Sequence, residues 1–257
     1  MAKSRRSSKL YPSVNRLSDP ERIQLVKEIF ATVTSKYDFL NHLLSLRRDV
    51  AWRRATVSRM RFFRTHRLLD AATGTCDLAV EAVRRHPDLR VTGLDLVSEM
   101  VAAGRRKIRR MGLSSRIHLL RGDALHLPFG EARFDAVSMA FGIRNIPDRL
   151  AALQEMTRVV VPGGRILILE MTLPRSFLLR PFYSFYLGTV LPRLARAVSP
   201  NPGAYHYLAD SIAHFPAPQA FARIMRRAGL ERVQIHPLTC GITCLHEGVK
   251  PGDESPS

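Results

Sequence analysis

The sequence predicts an α/β protein, a mostly parallel seven-stranded sheet with helices on both faces and an added helical layer at the N-terminus. Three observations predict it. Leu68–Asp95, LLDAATGTCDLAVEAVRRHPDLRVTGLD, reads as strand, tight turn, helix and strand, with an acid ending each apolar run. Arg165–Glu170 carries Ile166, Leu167, Ile168 and Leu169 unbroken, the mark of a central strand covered on both faces. A chain of 257 residues, 46% apolar and 24% charged, is large enough for one such domain with additions.

Residues 1–17 are polar and basic and read as a flexible arm. Ser18-Asp19-Pro20-Glu21 is a helix start, with a capping serine, a proline in the first turn and a glutamate three positions on. Ile23, Val26, Phe30, Val33 and Tyr37 then recur at helical spacing. Further helices over Phe39–Ser45 and Val50–Met60 complete a layer, residues 18–60, expected to lie as a lid across the ligand crevice of a doubly wound domain at 61–257. Within that domain Ser98–Arg110 is a helix stopped at Gly112, and Ile117–Leu120 and Phe134–Met139 are strands. Asp148–Val159 is a helix broken by Pro162-Gly163-Gly164, ahead of the central strand. Ala217–Ala228 is a last helix, and Val233–Pro237 with Ile242–Glu247 make an antiparallel pair at one edge. Residues 171–216, rich in aromatics, leucine and proline, interrupt the alternation as an insertion on the carboxyl side of the sheet, where ligands of open α/β sheets bind.

The net charge of +18 favours a polyanionic partner: nucleic acid, an anionic membrane surface or a phosphorylated substrate. A generally arginine-rich composition accounts for the same charge, because the arginines run along the whole chain without a clustered stripe. Cys76, Cys240 and Cys244 are too few and scattered for a disulfide framework, and Cys240-x-x-x-Cys244 lacks the second pair that a zinc site needs, so no metal is expected. The basic start has no apolar core of a secretory signal, and no stretch reaches the length of a spanning helix. The expectation is a cytoplasmic protein.

The turn Ala71–Cys76 identifies a nucleotide site and limits its ligand. A small-residue turn lets a ligand approach the backbone, and Asp95 at the tip of the second strand can take a ribose hydroxyl pair. A dinucleotide asks for Gly-x-Gly-x-x-Gly, and here Gly74 stands alone with Cys76 where a second glycine belongs. That disfavours a nicotinamide dehydrogenase and suits S-adenosylmethionine, which has ribose and adenine but no pyrophosphate.

Four ordered blocks decide the matter. They are Phe30…Tyr37-Asp38…Asn41…Ser45…Trp52-Arg53; Phe141-Gly142-Ile143-Arg144-Asn145 continuing to Pro162-Gly163-Gly164-Arg165…Leu169-Glu170; Tyr205…Tyr207-Leu208…Ser211-Ile212…Phe215-Pro216; and Leu238-Thr239…Gly241-Ile242…Leu245-His246…Gly248…Lys250-Pro251. Over nearly its whole length the chain resembles the C-methyltransferases of menaquinone and ubiquinone biosynthesis, the demethylmenaquinone methyltransferase family. The resemblance implies a class I Rossmann-like fold and C-methylation of a reduced polyprenyl quinone precursor, demethylmenaquinol or the related benzoquinol, by S-adenosylmethionine. Carried over by position, Thr75 lines the methionine part, Asp95 takes the ribose and Asp123-Ala124 flank the adenine, with Gly74 as a further cofactor-binding position. Three positions depart from the family's pattern: Ala140 replaces a serine, Arg47 a glycine of the lid segment, and Cys76 the second glycine of the turn.

A quinol ring offers an electron-rich carbon and the sulfonium a strong electrophile, so alignment within 3–3.5 Å supplies much of the catalysis. Arg144 and Asn145 are the catalytic candidates, Arg144 as a water-orienting or phenolate-stabilising group because arginine stays protonated. Tyr205, His206, Asp210 and His246 are weaker ones. For the substrate's tail, Leu178, Leu179, Phe182, Tyr183, Tyr186, Leu187, Val190 and Leu191, flanked by Arg175, Arg180, Arg193 and Arg196, suit either an interfacial helix on anionic lipid or the wall of an internal pocket. The family habit adds a homodimer. A methyltransferase for another apolar small molecule is the alternative; a nucleic-acid methyltransferase or binder is disfavoured by the absence of any recognisable RNA module or base-methylation motif.

Overall fold

The computed structural model describes residues 11–34, 37–174, 176–198 and 201–252. Three helices come first: α1 (Asp19–Val33), α2 (Tyr37–Leu44) and α3 (Arg48–Val57). The sheet domain runs β1 (Arg67–Ala71), α4 (Asp77–Arg85), β2 (Arg90–Asp95), α5 (Ser98–Arg110), β3 (Ile117–Arg121), β4 (Phe134–Ala140), α6 (Arg149–Val159) and β5 (Val160–Met171). The insertion contributes α7 (Leu179–Phe185), a π-helical turn (Tyr186–Val190), α8 (Leu191–Val198) and α9 (Gly203–Ala213); α10 (Pro218–Arg227), β6 (Glu231–Leu238) and β7 (Thr243–Val249) close the domain.

The strands lie in the order β3-β2-β1-β4-β5-β7-β6, parallel except for β7, which pairs antiparallel with both neighbours. Alternation along the strands divides the core. Leu69, Val137, Ile166 and Ile168 point into one apolar cluster, and Leu68, Ala136, Leu167 and Leu169 into the other. Both faces are therefore covered, which is why β5 reads as an unbroken apolar run. That strand is longer than its sequence pattern indicates: it starts at Val160, directly after α6, and carries Pro162-Gly163-Gly164 within it. The ladder tolerates them because the β4–β5 register slips between Phe134 and Ala136.

Local chemistry sets the entries to the site. Ser18 N–H donates to Glu21 Oε2 at 2.8 Å, half of the capping box that starts α1. Asp148 Oδ1 accepts from Ala151 N–H at 2.9 Å and starts α6. Before β1 the buried Asp135 carboxylate accepts from the backbone N–H groups of Phe63, Arg64, Thr65 and His66, fixing the loop that leads into the first strand.

The expected arm at 1–17 lies outside the described residues over 1–10. Its last part is anchored: Ser13 Oγ and Val14 N–H both donate to Asp210 on α9, and Val14 is buried. Among the described residues no helix is long and apolar enough to cross a membrane.

Candidate active site

The carboxyl ends of β1, β2 and β4 open on a cavity floored by the first turn. Ala72, Gly74 and Cys76 have φ of 51°, 55° and 73°, so left-handed residues alternate along the turn. Only glycine takes that conformation without cost, and the turn therefore holds two strained side-chain-bearing residues around Gly74. Asp95 Oδ2 accepts from Gly74 N–H at 2.7 Å and Oδ1 from Val97 N–H at 2.9 Å, which ties the two strand tips together. Burial raises its carboxyl above the usual range, while those backbone donors oppose the shift. A carboxylate has about four acceptor positions, so Asp95 keeps room for a pair of hydroxyls. Leu96, Val97, Met100, Asp123, Ala124 and Leu125 continue the cavity as an apolar slot with a carboxylate at one end. That set of groups fits S-adenosylmethionine: one carboxylate able to accept from hydroxyls, and an apolar slot with a second carboxylate able to accept from an exocyclic amine.

At its inner end the cavity meets a smaller polar pocket lined by Tyr37, Arg53, Asp70, Thr75 and Asp77. Asp70 Oδ2 accepts from Thr73 Oγ1 at 2.7 Å and Oδ1 from Ser138 Oγ at 2.9 Å; burial nevertheless pushes its carboxyl up to about 6. Thr75 Oγ1 donates to Asp38, and Lys107 Nζ pairs with both Asp38 and Asp77. The layer ahead of the sheet is thus joined to the cofactor turn by ions and hydroxyls, and α1 adds Ile23, Val26 and Phe30 to the cavity wall.

A second cavity lies beside the first and shares Phe30, Tyr37 and Phe141 with it. Its wall is mainly apolar and aromatic, with Val33, Trp52, Met171, Leu187 and Leu191, and its polar groups include Asp49, Arg53 and Arg144. Phe141 forms the partition. Its φ is 60°, its ring meets Trp52 edge-on with centroids 6.1 Å apart, and Arg53 stacks 5.4 Å from its centroid. Phe141 thus pairs a strained backbone with a place in the lining of both cavities.

The turn Ile143–Asn145 divides the catalytic candidates between the cavities. Asn145 lines the first, its Oδ1 accepting from Tyr207 Oη at 3.2 Å, and Arg144 lines the second. Arg144 Nη1 donates to Phe141 O and to Glu170 Oε1, each at 2.6 Å, while its buried Nε has no hydrogen-bond partner among the described residues. Burial opposes the charge, but Glu170 beside it raises the arginine above its ordinary value, so it remains a cation.

Of the weaker candidates only Tyr205 lines either cavity. Asp210 holds Ser13 and Val14 and pairs with His214 at 3.2 Å. His246 lies in the core, with Nε2 3.0 Å from Pro218 O and its ring edge-on to Phe221; burial lowers it to about 4. Cys244 is buried and Cys240 exposed. His42, Asp49 and Asp77 have the spacing of a metal set, their ligand atoms within 4.8 Å, but the guanidinium of Arg53 already bridges the two carboxylates. Tyr37, Asp49, Trp52, Arg53 and Glu170 belong to the site although no role was expected of them. Several stand in the quoted blocks, so the signal was present without the geometry that gives it meaning.

The insertion divides along its own axis. Leu187 and Leu191 are buried and line the second cavity, whereas Leu178, Leu179 and Phe182 are exposed. The buried face fits the reading of this stretch as the wall of an internal pocket. Arg175 lies outside the described residues.

The family model for the ubiE/COQ5 methyltransferase family matches residues 17–250. The ubiquinone/menaquinone biosynthesis C-methyltransferase UbiE of Geotalea daltonii is 39% identical over 231 residues, covering 90% of this chain and 98% of that protein. A demethylmenaquinone methyltransferase of Deinococcus radiodurans is 43% identical over 227 residues, covering 88% and 93%. Among solved structures, a SAM-dependent methyltransferase from Thermotoga maritima, described as a possible histamine N-methyltransferase, superposes with a TM-score of 0.60 at 18% identity, covering 87% of this chain and 99% of that one. With the fold in agreement, the chain belongs to the ubiE/COQ5 methyltransferase family and is an S-adenosylmethionine-dependent C-methyltransferase.

Proposed function

We propose that the chain methylates a ring carbon of a reduced polyprenyl quinone, converting demethylmenaquinol to menaquinol, with the ubiquinone-pathway benzoquinol as a second acceptor. The observation that supports this reading is the pair of adjoining cavities, one suited to the cofactor and the other apolar, aromatic and ended by a buried arginine. In this reading Gly74 and Thr75 hold the methionine part of the cofactor, Asp95 the ribose, and Asp123 and Ala124 the adenine. The cofactor supplies an electrophilic methyl group. Phe30, Tyr37 and Phe141 line both cavities, so the acceptor carbon and the methyl group would meet at this shared wall. Arg144, cationic and with Nε unpartnered, stabilises negative charge developing on the quinol oxygen. Asn145, fixed by Tyr207, orients the cofactor side of the same junction. The layer at 18–60 acts as the lid that admits both ligands.

The polyprenyl tail leaves by the insertion. Both elements beside the second cavity turn apolar side chains outward: Phe39 and Leu43 from α2, and Leu178, Phe182 and Phe185 around α7. Exposed aromatics beside Arg180 and Arg193 suit the headgroup boundary of an anionic bilayer, so the protein works as a peripheral enzyme on the cytoplasmic face.

Methyl transfer from labelled cofactor to reduced demethylmenaquinone, with a benzoquinol in parallel, tests the acceptor. Transfer to neither, while S-adenosylmethionine still raises the melting temperature, would refute the quinol assignment and leave the cofactor in place. Flotation with anionic vesicles at low salt tests the membrane surface; protein that stays at the bottom of the gradient refutes it.

A further inference from the structure

Carbon methylation of a quinol releases a proton, and in the mainly apolar second cavity few side chains can take it up. The groups that line the second cavity narrow the choice. Arg53 and Arg144 are cations without acceptor capacity. Burial raises the hydroxyls of Tyr37, Tyr186 and Tyr207, so they stay neutral and do not take up a proton. Asp49 is the single carboxylate among the described lining residues, and it is 3% exposed.

Asp49 does not end the path. Its Oδ2 lies 2.8 Å from His42 Nδ1, and its Oδ1 accepts from Ser45 Oγ at 2.7 Å. His42 is outside the cavity lining, and its side chain is 31% exposed. One member of the pair therefore faces the chamber and the other reaches water. The remaining charges around the pair are Arg53 on α3, 2.5 Å from Asp49, then Asp77 on α4 beside Arg53, and Lys107 on α5, which joins Asp77 to Asp38 on α2. Although burial works against the charge of Asp49, Ser45, Arg53 and His42 outweigh it and hold the carboxyl below its usual range. The carboxylate is thus ionised and a weak base, so a proton that reaches it is passed on rather than held.

We propose that Asp49 and His42 form the proton exit of the acceptor chamber. The inference rests on the quinol reading above. The quinol hydroxyl gives its proton to Asp49, directly or through one water. The ring carbon then forms its bond to the methyl group as the sulfonium S–CH3 bond breaks. Loss of the ring hydrogen returns its electron pair to the ring, and that proton returns to the oxygen. Once Asp49 is protonated, exchange with solvent moves the His42 ring hydrogen from Nδ1 to Nε2, Nδ1 then takes the proton from Asp49, and Nε2 gives its own to bulk water, so each turnover releases one proton.

The test follows turnover of reduced demethylmenaquinone by wild type, His42→Ala and Asp49→Asn, with cofactor affinity measured by calorimetry and folding by melting temperature. His42→Ala, at a half-exposed position, is expected to lose tenfold or more in kcat with unchanged cofactor affinity. Added imidazole is expected to restore part of the loss, increasingly as pH rises and more of it is neutral. Asp49→Asn is expected to lose more and to resist imidazole, because the acceptor inside the chamber is gone. Wild-type turnover in His42→Ala, or a loss that imidazole does not restore at any pH in a folded variant, overturns the relay and leaves the quinol reading intact. A wild-type enzyme inactive on the quinol overturns both.

Discussion

Arg144 and Glu170 face one another at 2.6 Å in an ion pair whose side chains are 6% and 0% exposed. Glu170 also accepts from the backbone N–H of Arg144 at 3.1 Å and of Met171 at 2.8 Å, so one carboxylate fixes both the guanidinium and the turn that carries it. Removing one partner leaves the other charge buried. Glu170→Ala is expected to destabilise the protein by about 3–5 kcal/mol in urea unfolding. Arg144→Ala is expected to lower kcat by about 100-fold with cofactor affinity little changed, the pattern of a lost contact to developing charge.

Asp70 gives cofactor binding a pH dependence. Burial pushes its carboxyl up to about 6, against the bonds from Thr73 and Ser138, so it is ionised above that pH and neutral below it. A cationic ligand in the adjoining pocket favours the ionised form. The dissociation constant for S-adenosylmethionine is expected to rise about tenfold between pH 7 and pH 5, and Asp70→Asn to remove most of that change, both read by calorimetry.

His246 makes stability fall with acid. Its folded value is lowered from 6.5 to about 4 by burial, so between these values the unfolded chain binds the extra proton. Stability from this group is complete above pH 6.5 and declines as pH drops through the window, by up to about 3 kcal/mol. His246→Gln is expected to flatten the slope of urea midpoint against pH between 6.5 and 4.

Arg47 occupies a left-handed conformation, φ 60°, immediately before α3, where the family pattern has glycine. An L side chain there costs about 1 kcal/mol. Arg47→Gly is expected to raise the melting temperature by a few degrees without changing turnover.

Cys76 carries the same backbone cost at φ 73°, but its buried sulfur packs against Gly104, where an added Cβ would lie 2.6 Å from Sγ. Cys76→Gly relieves strain and loses packing, and the net change in stability is expected to stay within about 1 kcal/mol. The thiol, pushed up to about 12 by burial, is not a nucleophile, so activity is expected to persist. A large loss of methyl transfer would assign it a role.

The fold was legible because its signals are local and repeated: capping at Ser18 and Asp148, the helical span Asp77–Arg85 and the apolar run of β5 each report one element by itself. The turn and strand tip expected to hold the cofactor are local in the same way: Gly74 and Asp95 sit at fixed offsets within one βαβ unit, and the structure brings them together. The acceptor chamber was not. Asp49, Phe141, Glu170 and Tyr207 lie on four different elements, and nothing in the spacing of the chain says that Arg144 meets Glu170 or that Trp52 meets Phe141. The insertion resisted for a different reason: Leu187 and Phe182 have the same character in sequence and opposite surroundings in space.

The place of β7 bears on how the protein is made. This strand, the last among the described residues, lies between β5 and β6, pairing Arg165–Met171 on one side and Glu231–Leu238 on the other. Until residues 243–249 have left the ribosome, the edge of β5 faces no strand, and β6 has no neighbour through which to join the sheet. Parallel pairing among β1 to β5 can begin on the nascent chain, but joining β6 to the sheet waits for β7. A chain stalled in that interval presents an apolar, hydrogen-bonding edge to any other stalled copy, so aggregation during synthesis should concentrate there rather than at the exposed aromatics of the insertion.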